Sequence, residues 1–166
     1  NGSLYGVGYK VSIADRAYFN QLKHDVSDDL VISNPIVSRV DGYDSLVFAR
    51  RLTNAAGLFL GIALITVPTS YFDQIYAPVR SIESMRLTLL RLNGTMLISF
   101  PGDIDRTGEA LPHASPWYAL MRKGGGQYLS EGSLDAGRRW VSVHVLEQAP
   151  LVLNVSVAED AVLERW

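Results

Sequence analysis

The chain has 166 residues, 48% hydrophobic and 19% charged, enough for one ordinary domain or two small lobes with a true core. Its 15 basic and 17 acidic side chains leave a net charge of −2, so there is no electrostatic footprint for nucleic acid and no basic run for a membrane surface. The absence of cysteine excludes disulfides, thiolate metal sites and cysteine nucleophiles, and it suits the cytosol or a bacterial periplasm.

In chain order, "SLYGVGY" (3–9) after Asn1-Gly2 reads as a strand. Asp15 is placed to cap a helix over 16–26, with Phe19, Leu22 and Val26 on one face; Ser12 and Asp15 form an alternative capping box. "VISNPIVSRV" (31–40), a turn at Asp41-Gly42, the strand "SLVFARRL" (45–52) and a turn at 54–57 follow. The longest apolar run, "GLFLGIALITV" (57–67), falls short of the roughly 20 residues that cross a bilayer and reads as a buried strand. Pro68 ends it, and "TSYFDQIYAPVR" (69–80) is a short helix or a connector.

In the second half, "RLTLLRL" (86–92) and "TMLISF" (95–100) flank Asn93-Gly94, predicted to be a two-residue hairpin turn. A loop over 101–115 leads to a helix "PWYALMRK" (116–123), opened by Pro116 and ended by the glycines at 124–126. "QYLSEGSL" (127–134), "RRWVSVHVL" (138–146) and "LVLNVSV" (151–157) predict an antiparallel meander, and "AEDAVLERW" (158–166) a closing helix. "NGSLYG" (1–6) and "NGTMLI" (93–98) each begin the series strand, helix, three strands. The predicted fold is therefore α+β: two lobes, 1–80 and 81–166, each an antiparallel sheet flanked by helices.

Chemistry is sparse. His24, His113 and His144 show no metal-ligand spacing and read as structural or surface residues. Asp103, Asp105, Thr107 and Gly108 start like a calcium loop, but Ala114 stands where the bidentate glutamate belongs, so no metal is expected. No nucleophile elbow, phosphate loop or paired carboxylates are present, no cofactor is implied, and nothing motivates an enzyme.

What remains is a set of arginines and aromatics in the first lobe: Arg16, Tyr18, Phe19, Arg39, Phe48, Arg50 and Tyr71. Arg16 lies where the predicted helix begins, at the positive end of its dipole, a poor place for a cation unless an anion answers it. Strand alternation puts Leu46, Phe48, Arg50 and Leu52 on one face and Val47, Ala49 and Arg51 on the other. Helix amides, a guanidinium fork and tyrosine hydroxyls together suit a carboxylate-bearing small molecule; solvated arginines beside core aromatics are the plainer alternative.

"DRAYF" (15–19), "NPIVSRVDG" (34–42), "FARRL" (48–52), "GIALITVPTSYF" (61–72) and "RLNGTMLISFP" (91–101) resemble the double-Cache, or tandem PAS-like, sensor domains of bacterial membrane receptors. The likeness is closest to those preceding diguanylate cyclase or histidine kinase modules. It implies a membrane-distal lobe over 1–80 and a membrane-proximal lobe over 81–166, with a long helix and a first distal strand ahead of residue 1. It also implies an inner-membrane protein whose sensor faces the periplasm or the outside, transmembrane helices flanking this segment, and a homodimeric receptor.

In ligand-binding members, an arginine and aromatics at the start of the distal helix grip the carboxylate, which the resemblance carries over to Arg16, Tyr18 and Phe19. An acid at the end of the last distal strand takes an amine. That place falls near Val67, so a simple carboxylate is expected in preference to an α-amino acid, with Thr66 or Tyr71 as hydrogen-bonding substitutes. Two rival readings stay open: a ligand-free structural or dimerisation module, and a small soluble enzyme acting on an acidic substrate.

Overall fold

A computed structural model describes residues 3–6, 9–78, 84–102, 106–132 and 137–164. Its contacts divide the chain into two compact units, Asn1–Tyr71 and Phe72–Trp166. The predicted calcium-like Asp103 and Asp105, and most of the turn before residue 137, lie outside the described residues.

The first unit opens with an antiparallel hairpin, β1 (Ser3–Gly6) and β2 (Tyr9–Ser12), where one strand was predicted. Helix α1 (Ala17–His24) follows, then the short strands β3 (Val31–Ile32) and β4 (Ile36–Val37) and the long strands β5 (Asp44–Thr53) and β6 (Phe59–Pro68). β6 pairs along β5 from Ser45 to Thr53, so β3 and β4 share the other edge of β5. Pro35 cannot donate to a ladder, and Ser33 makes the break between β3 and β4 tolerable. Its Oγ accepts the Val47 amide at 2.9 Å while its own amide donates to the Val47 carbonyl at 2.8 Å.

Asp15 does not cap α1. The N-cap is Arg16, without a side-chain cap, and the helix ends at His24, two residues short of the predicted end. Asp25 is extended, and Val26, expected on the buried face, is 92% exposed. Phe19 and Leu22 do face inward, joining Ile13, Tyr18, Val31, Val47 and Ala49 in the core. Arg51 holds the frayed end: its Nη1 donates to the carbonyls of Leu22, Lys23 and Asp25 at 2.6, 2.9 and 2.8 Å. This places a cation where the helix dipole favours one.

Helix α2 (Thr69–Tyr76) contains the division between the units, ahead of the boundary drawn at residue 80. The aromatic rings explain the difference. Phe72 lies 6.5 Å from Tyr76, and Tyr76 lies 5.7 Å from Phe100, which ties the later turns of α2 to the second unit.

The second unit is a five-stranded antiparallel sheet in the order β8-β7-β11-β10-β9. Its strands are β7 (Arg86–Arg91), β8 (Met96–Phe100), β9 (Gly125–Ser130), β10 (Arg139–Val145) and β11 (Leu151–Ala158). The last three form the predicted meander. The turn at Asn93-Gly94 is wider than predicted: the Gly94 amide bonds the Arg91 carbonyl and the Arg91 amide bonds that of Thr95, with Gly94 at φ 84°. That is a three-residue loop ending in a left-handed glycine. Helix α3 (Trp117–Arg122) lies over the sheet and buries Trp117 completely; α4 (Glu159–Leu163) closes the described chain.

Candidate functional site

The segment before α1, the β4–β5 connection and the sheet enclose a small cleft in the first unit. Val11 and Ile13 line it from the chain entering the helix, and Arg16 and Tyr18 from the helix start. Ile36, Ser38, Arg39 and Val40 line it from β4 and the turn after it, and Val47 and Thr66 from the sheet. The cleft is small: about 30 Å³ of it is open to water, two to three times the roughly 10–15 Å³ that one water needs, and it opens to solvent at its mouth.

Arg39 shapes this cleft. Its guanidinium grips Asp15 in a two-pronged pair, Nη1 to Oδ1 at 2.7 Å and Nη2 to Oδ2 at 2.6 Å, and Nη1 also donates to the Ser12 carbonyl at 2.8 Å. The side-chain bonds from Arg39 hold the Asp15 carboxyl down at about 2. Asp15 therefore answers Arg39 instead of capping α1, and Arg39 is committed to pinning the entry of the helix to β4.

Arg16 differs. One Nη2 hydrogen bond, 2.9 Å to the Val37 carbonyl, is the single bond its side chain makes among the described residues. A guanidinium carries five N–H donors, so most of this fork is available to the cleft. Tyr18 is 6% exposed and lines the cleft, and no hydrogen bond among the described residues uses its hydroxyl. Burial, partly opposed by Arg16 and Arg39, pushes the phenol up, which keeps it a donor at neutral pH. Such a buried phenol normally has a partner.

The structure gathers four of the eight residues singled out from the sequence, Arg16, Tyr18, Arg39 and Thr66, around this cleft. The other four do not line it. Phe19 points into the core, edge-on to Phe59 at 5.9 Å. Phe48 and Arg50 alternate with Val47, Ala49 and Arg51, and it is the latter set that packs toward α1. Phe48 and Arg50 thus project from the opposite face, half-buried and exposed respectively. Tyr71, on α2, is 53% exposed.

The same register corrects the reading of Val67. Val67 pairs with Leu46, while Thr66 pairs with Val47 on the face that meets α1. The residue presented to the cleft is Thr66, so Val67 carries no information about the ligand. Sequence reasoning also missed Ile36, Ser38 and Val40; their period-two spacing in "NPIVSRV" is the signal that could have placed them together.

Among the described residues no group of His, Asp and Glu could hold a metal, and no helix is long and apolar enough to cross a membrane. His24 bonds the Asn20 carbonyl, His113 stacks on Tyr118, and His144 bonds Ser142.

Two α+β units in tandem, the first with a cleft between helix start and sheet, have the fold of extracytoplasmic double-Cache (tandem PAS-like) sensor domains. Among solved structures, the chain is similar to the extracellular domain of rpHK1S-Z16, a protein described as a histidine kinase. Identity is 26% and the TM-score 0.75, covering 99% of this chain and 70% of that one. It is similar to the periplasmic sensory domain of the Campylobacter jejuni chemoreceptor Tlp1 at 13% identity and TM-score 0.72, over 95% of this chain and 61% of that one. The ligand-binding domain of the Pseudomonas aeruginosa PAO1 amino acid chemoreceptor PctB, in complex with L-Gln, aligns at 15% identity and TM-score 0.66, over 99% and 64%. No protein-family model matches the chain, and no curated protein matches it by sequence.

Proposed function

We propose that this chain is the extracytoplasmic ligand-sensing domain of a transmembrane signalling protein, and that the cleft of its first unit binds a small carboxylate-bearing metabolite. The observation that carries this reading is the pairing of a buried Tyr18, its hydroxyl unbonded among the described residues, with an Arg16 fork that uses one of its five donors among them. Together they offer a carboxylate a charge-assisted fork and a neutral donor in a partly desolvated place. Thr66 adds a hydroxyl but no negative charge, so the cleft favours a simple carboxylate over a ligand whose ammonium needs a counter-charge. L-Gln, bound by one neighbour in fold, and GABA, bound by another, share the carboxylate this cleft would grip.

In this reading the first unit is the membrane-distal lobe and the second the membrane-proximal one, with α4 leading toward the membrane. The output is a cytoplasmic diguanylate cyclase or histidine kinase module in a homodimeric receptor. The ligand acts by preferring one of two receptor states, a coupling of typically about 1–3 kcal/mol. The commitment of Arg39 to Asp15 favours the rival, a ligand-free structural module, because an internally neutralised arginine needs no ligand.

Thermal shift against a panel of metabolite carboxylates decides between them. A ligand at 100 times its dissociation constant adds about 2.7 kcal/mol, or about 5–11 °C for a chain of this size. Arg16→Ala and Tyr18→Phe should each abolish or shrink the shift. A panel in which no carboxylate moves the melting point sinks the ligand-sensor reading.

A further inference from the structure

Two guanidinium groups, Arg16 and Arg39, line the cleft of the first unit, and no carboxylate lines it among the described residues. By itself that lining would suit a doubly charged anion, one guanidinium to each carboxylate. Asp15 changes the count. It does not line the cleft, yet both its oxygens accept from Arg39, at 2.7 and 2.6 Å. Arg16 has no such partner: among the described residues its one side-chain bond goes to the neutral Val37 carbonyl. The cleft thus presents one answered and one unanswered guanidinium.

The bonds of Arg39 show what a second ligand carboxylate would meet. Both hydrogens of its Nη1 are committed, to Asp15 Oδ1 and to the Ser12 carbonyl at 2.8 Å, and one hydrogen of Nη2 goes to Asp15 Oδ2. Nε and the second Nη2 hydrogen make no bond among the described residues, so Arg39 keeps donors for a neutral acceptor. A carboxylate there would share the guanidinium with Asp15, placing two anions on one cation at contact distance, where like charges repel most. The rest of the wall offers no compensation. Ile13, Ile36 and Val47 are aliphatic, and Tyr18 and Thr66 are neutral. A second carboxylate would give up water against these groups and meet no unanswered charge in return.

We propose that Asp15 is a specificity-determining residue: by answering Arg39 from outside the cleft, it restricts the site to singly charged carboxylates and turns dicarboxylates away. The inference rests on the carboxylate reading of this cleft and narrows it to monocarboxylates. Asp15 acts through Arg39 without touching the ligand, so it is a positioning residue, and it selects by repulsion as much as by attraction. Asparagine in its place keeps the shape and one acceptor oxygen, removes the negative charge, and leaves Arg39 tethered to the Ser12 carbonyl. The cleft then presents two unanswered guanidinium groups.

Propionate and malonate share a three-carbon skeleton and differ by one carboxylate, so the ratio of their affinities reads the charge count at nearly constant size. Calorimetric titration of each into the whole chain at neutral pH should show propionate binding the tighter. Asp15→Asn should raise the malonate-to-propionate affinity ratio about tenfold or more, the worth of one charge-assisted contact. Asp15→Glu, which keeps the carboxylate, should restore most of the natural ratio, and adding Arg39→Gln to Asp15→Asn should cancel the gain. A merely structural role would lower both affinities together and leave the ratio where it was. The inference is overturned by a natural chain that prefers malonate, by a ratio that Asp15→Asn does not move, or by a gain that survives Arg39→Gln. In each of those cases, binding that is lost with Arg16→Ala leaves the carboxylate reading standing. Binding of neither anion to any of these chains overturns the inference too, and the wider carboxylate panel then decides the reading by itself.

Discussion

Arg51 offers the sharpest test of how the C-terminal end of α1 is held to the sheet. Its Nη1 faces three carbonyls at the C-terminal end of α1, and its guanidinium lies 4.9 Å from the ring centre of Phe59. One Nη nitrogen has two hydrogens, so the three carbonyls share about two effective bonds. At about 1 kcal/mol net each, with roughly 0.5–1 kcal/mol from the ring contact, Arg51→Met should cost about 2–3 kcal/mol. Methionine keeps most of the packing over Phe59, so the loss isolates the charge and the donors. Arg51→Lys should fall between, because an ammonium keeps the charge but not the planar fork. Urea denaturation followed by far-UV circular dichroism measures the change, with hydrogen exchange of the α1 amides as the local readout. Tryptophan fluorescence serves as an internal control, since Trp117, Trp140 and Trp166 all belong to the second unit. An Arg51→Met chain within about 0.5 kcal/mol of the natural one, the range of ordinary surface substitutions, would refute this account of α1.

The Asp15–Arg39 pair predicts a pH dependence. Because the folded carboxyl sits at about 2 instead of its ordinary 3.8, its stabilising effect is fully present above pH 3.8 and is lost as the pH falls through about 2. Acid unfolding of Asp15→Asn should lack that component, and identical acid profiles would remove the pair from the account. For a carboxylate found to bind the first cleft, calorimetry should show Thr66→Val weakening binding by about 0.5–1.5 kcal/mol, the net worth of one hydrogen bond, while Val67→Ala leaves it unchanged; the reverse pattern would contradict the register. Gly94→Ala should cost at least about 1–2 kcal/mol in chemical denaturation. It forces φ 84° on a residue with a Cβ and drives that Cβ to 2.5 Å from the Tyr118 hydroxyl, which bonds the Leu111 carbonyl.

Much of the architecture was legible because it follows from local rules. The alternation in "SLVFARRL" and "LVLNVSV", the punctuation by glycine and proline, and the one-faced apolar pattern of Phe19 and Leu22 each act within a few residues. The helix end was not legible. Val26 fits the helical period, but Asp25 turns extended and Arg51, distant in sequence, supplies the partner for the last carbonyls.

The candidate site divides along the same line. The sequence by itself determined that Arg16 and Tyr18 stand together at the start of a helix, since three residues cannot be far apart. It also determined the two faces of β5, because pleating enforces a period of two. Only the tertiary structure decided which face meets the helix, and with it that Thr66 lines the cleft while Phe48, Arg50 and Val67 turn away. It alone decided that Arg39 spends its charge on Asp15 and that Arg16 does not. The physical reason is that alternation sorts a strand into two faces but is silent on which is covered, and an arginine's partner is set by whichever carboxylate folding brings within reach.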